Sequence, residues 1–167
     1  VKYSRLSELI SFAYSGSAAT HVNLYIDLYA ALKTLYSESL RTEMTDYTAV
    51  TSSILNMCAH YRSFFKKLGV TTKIFLIFSH NCNIISQKLV AGYNKTYFRK
   101  SQNKMPADMV NFNIELLELL CPFLPDIHFL KTEFEVSVLI EYLIRKEQGE
   151  GNVNPNIIIS KDIYPCQ

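Results

Sequence analysis

Apolar residues follow two rhythms along this chain of 167 residues. Val22-Asn23-Leu24-Tyr25-Ile26 is a short β-favouring run that stops at a single acid, Asp27. Directly after it Leu28, Ala31, Leu32 and Leu35 recur at helical spacing, so a helix is predicted to start at the acid. Upstream, Ser4 to Tyr14 predicts a first helix with Leu6, Leu9, Ile10 and Ala13 on one face and Gly16 as its stop. From about Asp46 the pattern is the most strongly helical in the chain. Val50, Ile54, Met57, Cys58, Tyr61, Phe64, Phe65 and Leu68 form a stripe, Lys66 and Lys67 suit the last turn, and Gly69 closes it. Lys73 to Phe78 is too short and too apolar for a surface helix and is expected to be a second buried strand.

Past Phe78 the rhythm loosens. Ser79 to Asn83 reads as a turn, Ile84 to Val90 as a helix, and Gly92 to Lys104 as a basic stretch interleaved with aromatic residues. A helix is expected from about Asp108, with Val110, Ile114, Leu117 and Leu120 on its inner face and Pro122 and Pro125 ending it. Ile127 to Leu130 suits a short strand. Thr132 and Glu135 have capping-box spacing before a helix to about Arg145 that buries Val136, Leu139, Ile140 and Leu143. A polar loop, Gln148 to Pro155, leads to a last strand at Ile157 to Ile159. Strands alternating with helices predict an α/β fold with a mostly parallel central sheet covered on both faces. No internal repeat or domain boundary is visible, so the chain is read as one domain, with the ending just after a strand suggesting the N-terminal part of something longer.

Two acids draw attention in that frame. Asp27 ends the first strand, and Asp162 follows the last one in Ser160-Lys161-Asp162. In an open parallel sheet, such residues point into the crevice where ligands bind. Each also suits the ordinary role of an N-cap after a buried strand.

Composition narrows the choice. Apolar residues make up 49%, and no apolar run has the length a membrane-spanning helix requires. No signal peptide is read at the N-terminus, and the expected setting is cytoplasmic, in a host cell or virion if the source is viral. Cys58, Cys82, Cys121 and Cys166 lack metal-site spacing and read as reduced thiols. His21, His60 and His128 have no partner at ligand spacing, and His80 reads as a surface residue that follows the second strand. Ser79 lacks a nucleophile-elbow context, and no glycine-rich phosphate loop is present. Net charge is only +2, yet Lys88 to Lys104 holds five basic residues and no acid.

The ordered set of features resembles the flap-endonuclease and bacteriophage 5′-nuclease family, within the wider PIN-like group. Four stretches carry the likeness: Ile26-Asp27, Leu76-Ile77-Phe78-Ser79 with Tyr93 to Arg99 behind it, Glu135 to Leu143, and Ser160-Lys161-Asp162 with Gln167 nearby. The resemblance implies a PIN-like core that holds divalent cations with a ring of carboxylates and cleaves phosphodiesters with metal-activated water. Carried over residue by residue, Asp27, Glu135 and Asp162 become the catalytic and metal-binding acids for Mg²⁺ or Mn²⁺. The basic segment becomes a nucleic-acid grip, in which Lys95, Arg99, Lys100 and Lys104 meet phosphates and Tyr93, Tyr97 and Phe98 stack on bases of a single strand or flap of DNA or RNA.

The departures are as specific as the matches. Ser79, Ser137, Val138 and Tyr164 stand where the family carries acids. The expected function is therefore a nucleic-acid-associated domain resembling a metal-dependent 5′-3′ exonuclease or flap endonuclease, with a degenerate catalytic site. The alternative is a structural or interaction subunit of a virion or other large assembly that keeps the fold without the chemistry. The Asn-, Tyr- and Ser-rich, Trp-free composition is compatible with a phage-like source.

Overall fold

The computed structural model describes residues 20–41, 46–79, 105–151 and 154–160. The helices expected at Ser4 to Tyr14 and Ile84 to Val90 lie outside them, as does the whole basic aromatic stretch up to Lys104. Four strands form one sheet: β1 (His21–Asp27), β2 (Thr71–Ser79), β3 (Ile127–Thr132) and β4 (Asn156–Ile159). All neighbours are parallel and the order is β3-β2-β1-β4. Among the described residues four α-helices accompany them: α1 (Leu28–Arg41), α2 (Tyr47–Lys67), α3 (Ala107–Leu120) and α4 (Val136–Gly149). The expected α/β class with a parallel sheet covered on both faces is what the chain adopts.

The strand order decides where each helix goes. From β1 to β2 to β3 the chain steps one way across the sheet, and from β3 to β4 it steps back over two strands. Parallel crossovers are right-handed, so reversing the step sends the connecting helix to the opposite face. The core divides accordingly. Leu24, Ile26, Ile74, Leu76 and Phe78 face α1, α2 and α3, where Leu32, Ile54, Phe65, Met109 and Leu117 meet them. Tyr25, Phe75 and Ile77, one residue out of phase, face α4 through Val136 and Ile140. A fully buried Leu, Ile or Phe contributes roughly 1.5–3 kcal/mol. With 19 buried apolar residues among those described against five, the α1–α3 side carries most of the burial.

Local chemistry sets the helix ends. Asp46 caps α2, accepting the Thr48 N–H at 2.8 Å and the Thr48 hydroxyl at 2.6 Å. Those two bonds hold its carboxyl below the usual aspartate range. Lys66 and Lys67 occupy the last turn, and Gly69 follows at φ +75°, in the left-handed region that glycine enters at low cost. Leu68 is exposed, contrary to the expected stripe, because the helix has ended at Lys67 and Leu68 lies in the capping turn. Val110, Leu120, Leu139 and Leu143 are half-buried rather than buried. α3 ends at Leu120, just ahead of Pro122 as expected, and the chain then tightens into a 3₁₀ turn over Cys121–Phe123.

One expected cap fails. Thr132 is held in β3 by pairing with Ser79, so it stays extended and never reaches the threshold of α4. Its hydroxyl accepts the Phe134 N–H at 3.0 Å, while Glu135 takes the N-cap position without a side-chain bond to the helix. The capping box is therefore absent. Cys58 and Cys121 are buried free thiols, and burial pushes Cys58 up to about 12, so it stays protonated at neutral pH.

Leu76 sits in the middle of β2, fully buried between the neighbouring strands and the α1–α3 layer. Leu76→Ala is expected to lower unfolding free energy by about 2–5 kcal/mol. Urea denaturation monitored by circular dichroism checks this, with the m-value unchanged.

Candidate functional site

The crossover out of β1 and the crossover into β4 serve opposite faces of the sheet, so the strand order reverses at the β1–β4 seam. This is the reversal point at which open α/β sheets form a crevice. Asp27 stands there, 8% exposed, as the last residue of β1. Its Oδ1 accepts the Ala30 N–H at 3.1 Å, so the side chain caps α1. Its Oδ2 accepts the Ser160 hydroxyl at 3.3 Å, across the β1–β4 seam. One carboxylate thus ties the start of a helix to the end of a strand 133 positions away in sequence. Of the two roles the sequence offered, cap and ligand-facing acid, the cap is the one these contacts display.

The other acids at this edge are spaced by the strands that deliver them. Glu135 follows β3, two strands from β1, and is half-buried at the N-cap position of α4. Parallel neighbours lie about 4.8 Å apart, so β3 and β1 are roughly 10 Å apart in the sheet. Ser79 lies between them, buried at the end of β2 and two residues beyond the partner of Asp27. The residue that would bridge Asp27 and Glu135 with an acid is therefore a serine. Among the described residues, no three His, Cys, Asp or Glu side chains gather closely enough to hold a metal ion. The donors at the edge, carboxylate and hydroxyl oxygens, have the hard character that Mg²⁺ prefers, but the described residues do not supply the ring it requires. Asp162 lies outside the described residues, as do His80, Tyr93, Lys95, Arg99, Lys100 and Lys104.

The opposite end of the sheet holds a polar cluster that sequence reasoning passed over. Asn23, 3% exposed, donates from its amide to Glu147 of α4 at 2.5 Å and to Asn156 of β4 at 3.1 Å. Its backbone N–H donates to Pro155 at 3.0 Å. A groove of about 410 Å³ opens beside it, lined by His21, Asn23, Lys73, Asp126, His128 and Glu147. The signal was present: Asn23 interrupts an apolar run with a residue that must be satisfied when buried.

Next to the cluster an aromatic ladder crosses three strands in register. Tyr25 stacks on Phe75 at 5.0 Å between centroids, and Phe75 stacks on His128 at 5.3 Å. The Lys73 ammonium lies 5.2 Å from the centroid of the Phe75 ring. Burial, then the nearby Glu147 carboxylate, push the Tyr25 phenol well above its ordinary range against a smaller pull from Asn23. Burial and Lys73 lower the pKa of His128, with Asp126 pulling the other way.

Comparison with known protein families, with curated proteins and with solved structures finds no match. Among the described residues, no helix is long and apolar enough to cross a membrane.

Two outcomes are expected from this geometry. Asp27→Ala removes the cap of α1 and should cost about 1 kcal/mol, while Asp27→Asn keeps an acceptor for Ala30 and should lose less than about half of that. Thermal unfolding of the two variants separates capping from charge. For His128, the folded pKa lies below the ordinary value of 6.5, so the unfolded chain binds more protons once pH falls under that value. This contribution leaves stability intact above pH 6.5 and erodes it as pH drops through the folded pKa. His128→Gln should flatten that fall in a series of urea midpoints.

Proposed function

We propose that this chain is a nucleic-acid-associated domain built on a PIN-like, 5′-nuclease-type core whose catalytic acids are reduced in number. The observation that carries the reading is the buried Asp27 at the β1–β4 reversal, where an open parallel sheet presents its ligand crevice. The sequence likeness supplies the rest: Glu135 after β3, Asp162 two residues beyond Ser160, and the basic aromatic stretch between β2 and α3.

Asp27, Glu135 and Asp162 are the residues that would hold Mg²⁺ or Mn²⁺. A bound cation would activate water and neutralise charge on a phosphodiester. The chain's own contribution is positional. The Ala30 N–H and the Ser160 hydroxyl fix both oxygens of Asp27, so the carboxylate meets a ligand already oriented. Lys95, Arg99, Lys100 and Lys104 would pair with phosphates, and Tyr93 would stack on a base of single-stranded or flap DNA or RNA. With Ser79 between the two acids, strong metal affinity and rapid cleavage are not expected.

A second reading has an observation of its own. The two oxygens of Asp27 already hold a helix start and a strand end together, and that duty alone accounts for an acid at this place. On this reading the domain is a structural or interaction subunit that keeps the fold.

Calorimetric titration with Mn²⁺ and Mg²⁺, beside anisotropy measurements on labelled single-stranded and flap DNA, distinguishes the two. The nucleic-acid reading expects salt-sensitive binding. The combined Lys95→Ala and Arg99→Ala variant should weaken it and lower the salt slope by about 0.7 for each phosphate no longer neutralised. Weak Mn²⁺ binding should vanish in Asp27→Ala with Asp162→Ala. A folded wild type that binds neither metal at millimolar concentration nor DNA at low salt would leave the structural reading in place.

A further inference from the structure

α3 buries one flank and bares another. Met109, Asn113, Ile114 and Leu117 are buried on its inner side. Phe112, Leu119 and Phe123 are 39%, 68% and 81% exposed. Together with half-buried Leu116, they recur at steps of four, three and four residues. That alternation is the seam one helix offers another when the two pack side by side. A single exposed apolar residue is ordinary; a row ending in a phenylalanine that is four-fifths exposed has the character of an interaction surface. At 1.5 Å per residue the helical part of the row, Phe112 to Leu119, runs for about 10 Å, some two turns, and the 3₁₀ turn sets Phe123 beyond its end. Its far end is held by the 3₁₀ turn around Pro122, where the Leu124 N–H donates to Cys121 at 2.9 Å.

Charge narrows the occupant. The helix Ala107–Leu120 carries Asp108, Glu115 and Glu118 and no lysine or arginine. Glu118 is already paired with Lys131 at 3.6 Å. Asp108 and Glu115, seven residues apart, share one flank of the seam, in the place where charges select partners between paired helices. The Tyr47 hydroxyl donates to Asp108 at 3.1 Å and its ring packs on Phe112 at 6.0 Å, which steadies this end without cancelling the charge. Pairing α3 with α3 of a second copy would bring this acidic helix against another that also lacks a base.

We propose that the outer seam of α3 docks a cationic amphipathic helix of another protein. Its apolar side chains interleave with Phe112, Leu116, Leu119 and Phe123, and its lysines or arginines face Asp108 and Glu115. Leu119 and Phe123 expose the most and carry most of the binding. The seam belongs to the helix layer opposite α4, so it stands whether or not the domain binds nucleic acid.

The test uses the full chain and two designed helical peptides of about twenty residues, with the same leucine seam and either lysine or glutamate flanks. Calorimetry is expected to show the lysine-flanked peptide binding at least roughly tenfold more tightly than the glutamate-flanked one. Leu119→Ser with Phe123→Ser should weaken binding at least roughly tenfold with the circular dichroism spectrum unchanged. Glu115→Lys should narrow or reverse the preference between peptides. Equal affinity for both peptides, or no binding by either at millimolar concentration, would overturn the proposal. So would a concentration-dependent dimer in sedimentation that Leu119→Ser dissolves, which would give the seam to a second copy.

Discussion

The structure depends on β1 being paired along both edges. β2 lies on one side over the whole strand, from His21 against Thr71 to Asp27 against Ile77. β4 lies on the other over Asn23 to Ile26. A strand saturated on both edges and covered on both faces is buried almost throughout, and β1 is: only its first residue is exposed. Its two buried polar residues sit at opposite ends of the β4 pairing. Asn23 clamps the start of β4 through Asn156 and the end of α4 through Glu147, and Asp27 clamps the end of β4 through Ser160. A one-residue slip of β4 would turn these partners to the wrong face, so the polar pair fixes the register that backbone pairing alone leaves open.

The same double clamp bears on what the β1–β4 reversal can do. Asp27 is a candidate ligand residue because of where the sheet reverses, and a structural residue because of what it touches. These roles are compatible, since a pre-oriented carboxylate at a sheet edge suits either. Across the strands Ser79, a hydroxyl and not a carboxylate, stands between Asp27 and Glu135, so the described acids do not gather around one point.

Much of the fold was legible in the residues. All four described strands and all four described helices were expected from rhythm alone, because short apolar runs and helical stripes differ in period. What was not legible followed from tertiary context. The Thr132–Glu135 spacing matched a capping box, but pairing of Thr132 with Ser79 kept it in the sheet. Leu68 matched the stripe of α2, yet the helix stops one residue short of it. At the candidate site, the sequence placed Asp27 at a strand end and Glu135 at a helix start but could not state the two strand widths between β3 and β1. Ser160 was visible as part of a motif; its bond to Asp27 needed β4 to be placed beside β1. Asn23 was passed over because a polar residue in a strand is read as noise until its partners are known.

The placement of β4 has a consequence for how the chain reaches this state. β1 is made before the other three strands, and β2 can pair with it after some 50 residues of separation, whereas its other partner lies 133 residues further along, as Asn23 and Asn156 show. Closing so long a loop is entropically slow and is not rewarded until β4 arrives. Until then the central strand of the sheet presents an open edge, the kind of edge that pairs indiscriminately with other chains. Of the four strands, the first to be synthesised is thus the last to be completed. Between the emergence of β1 and that of β4, a nascent chain carries its core exposed along one side.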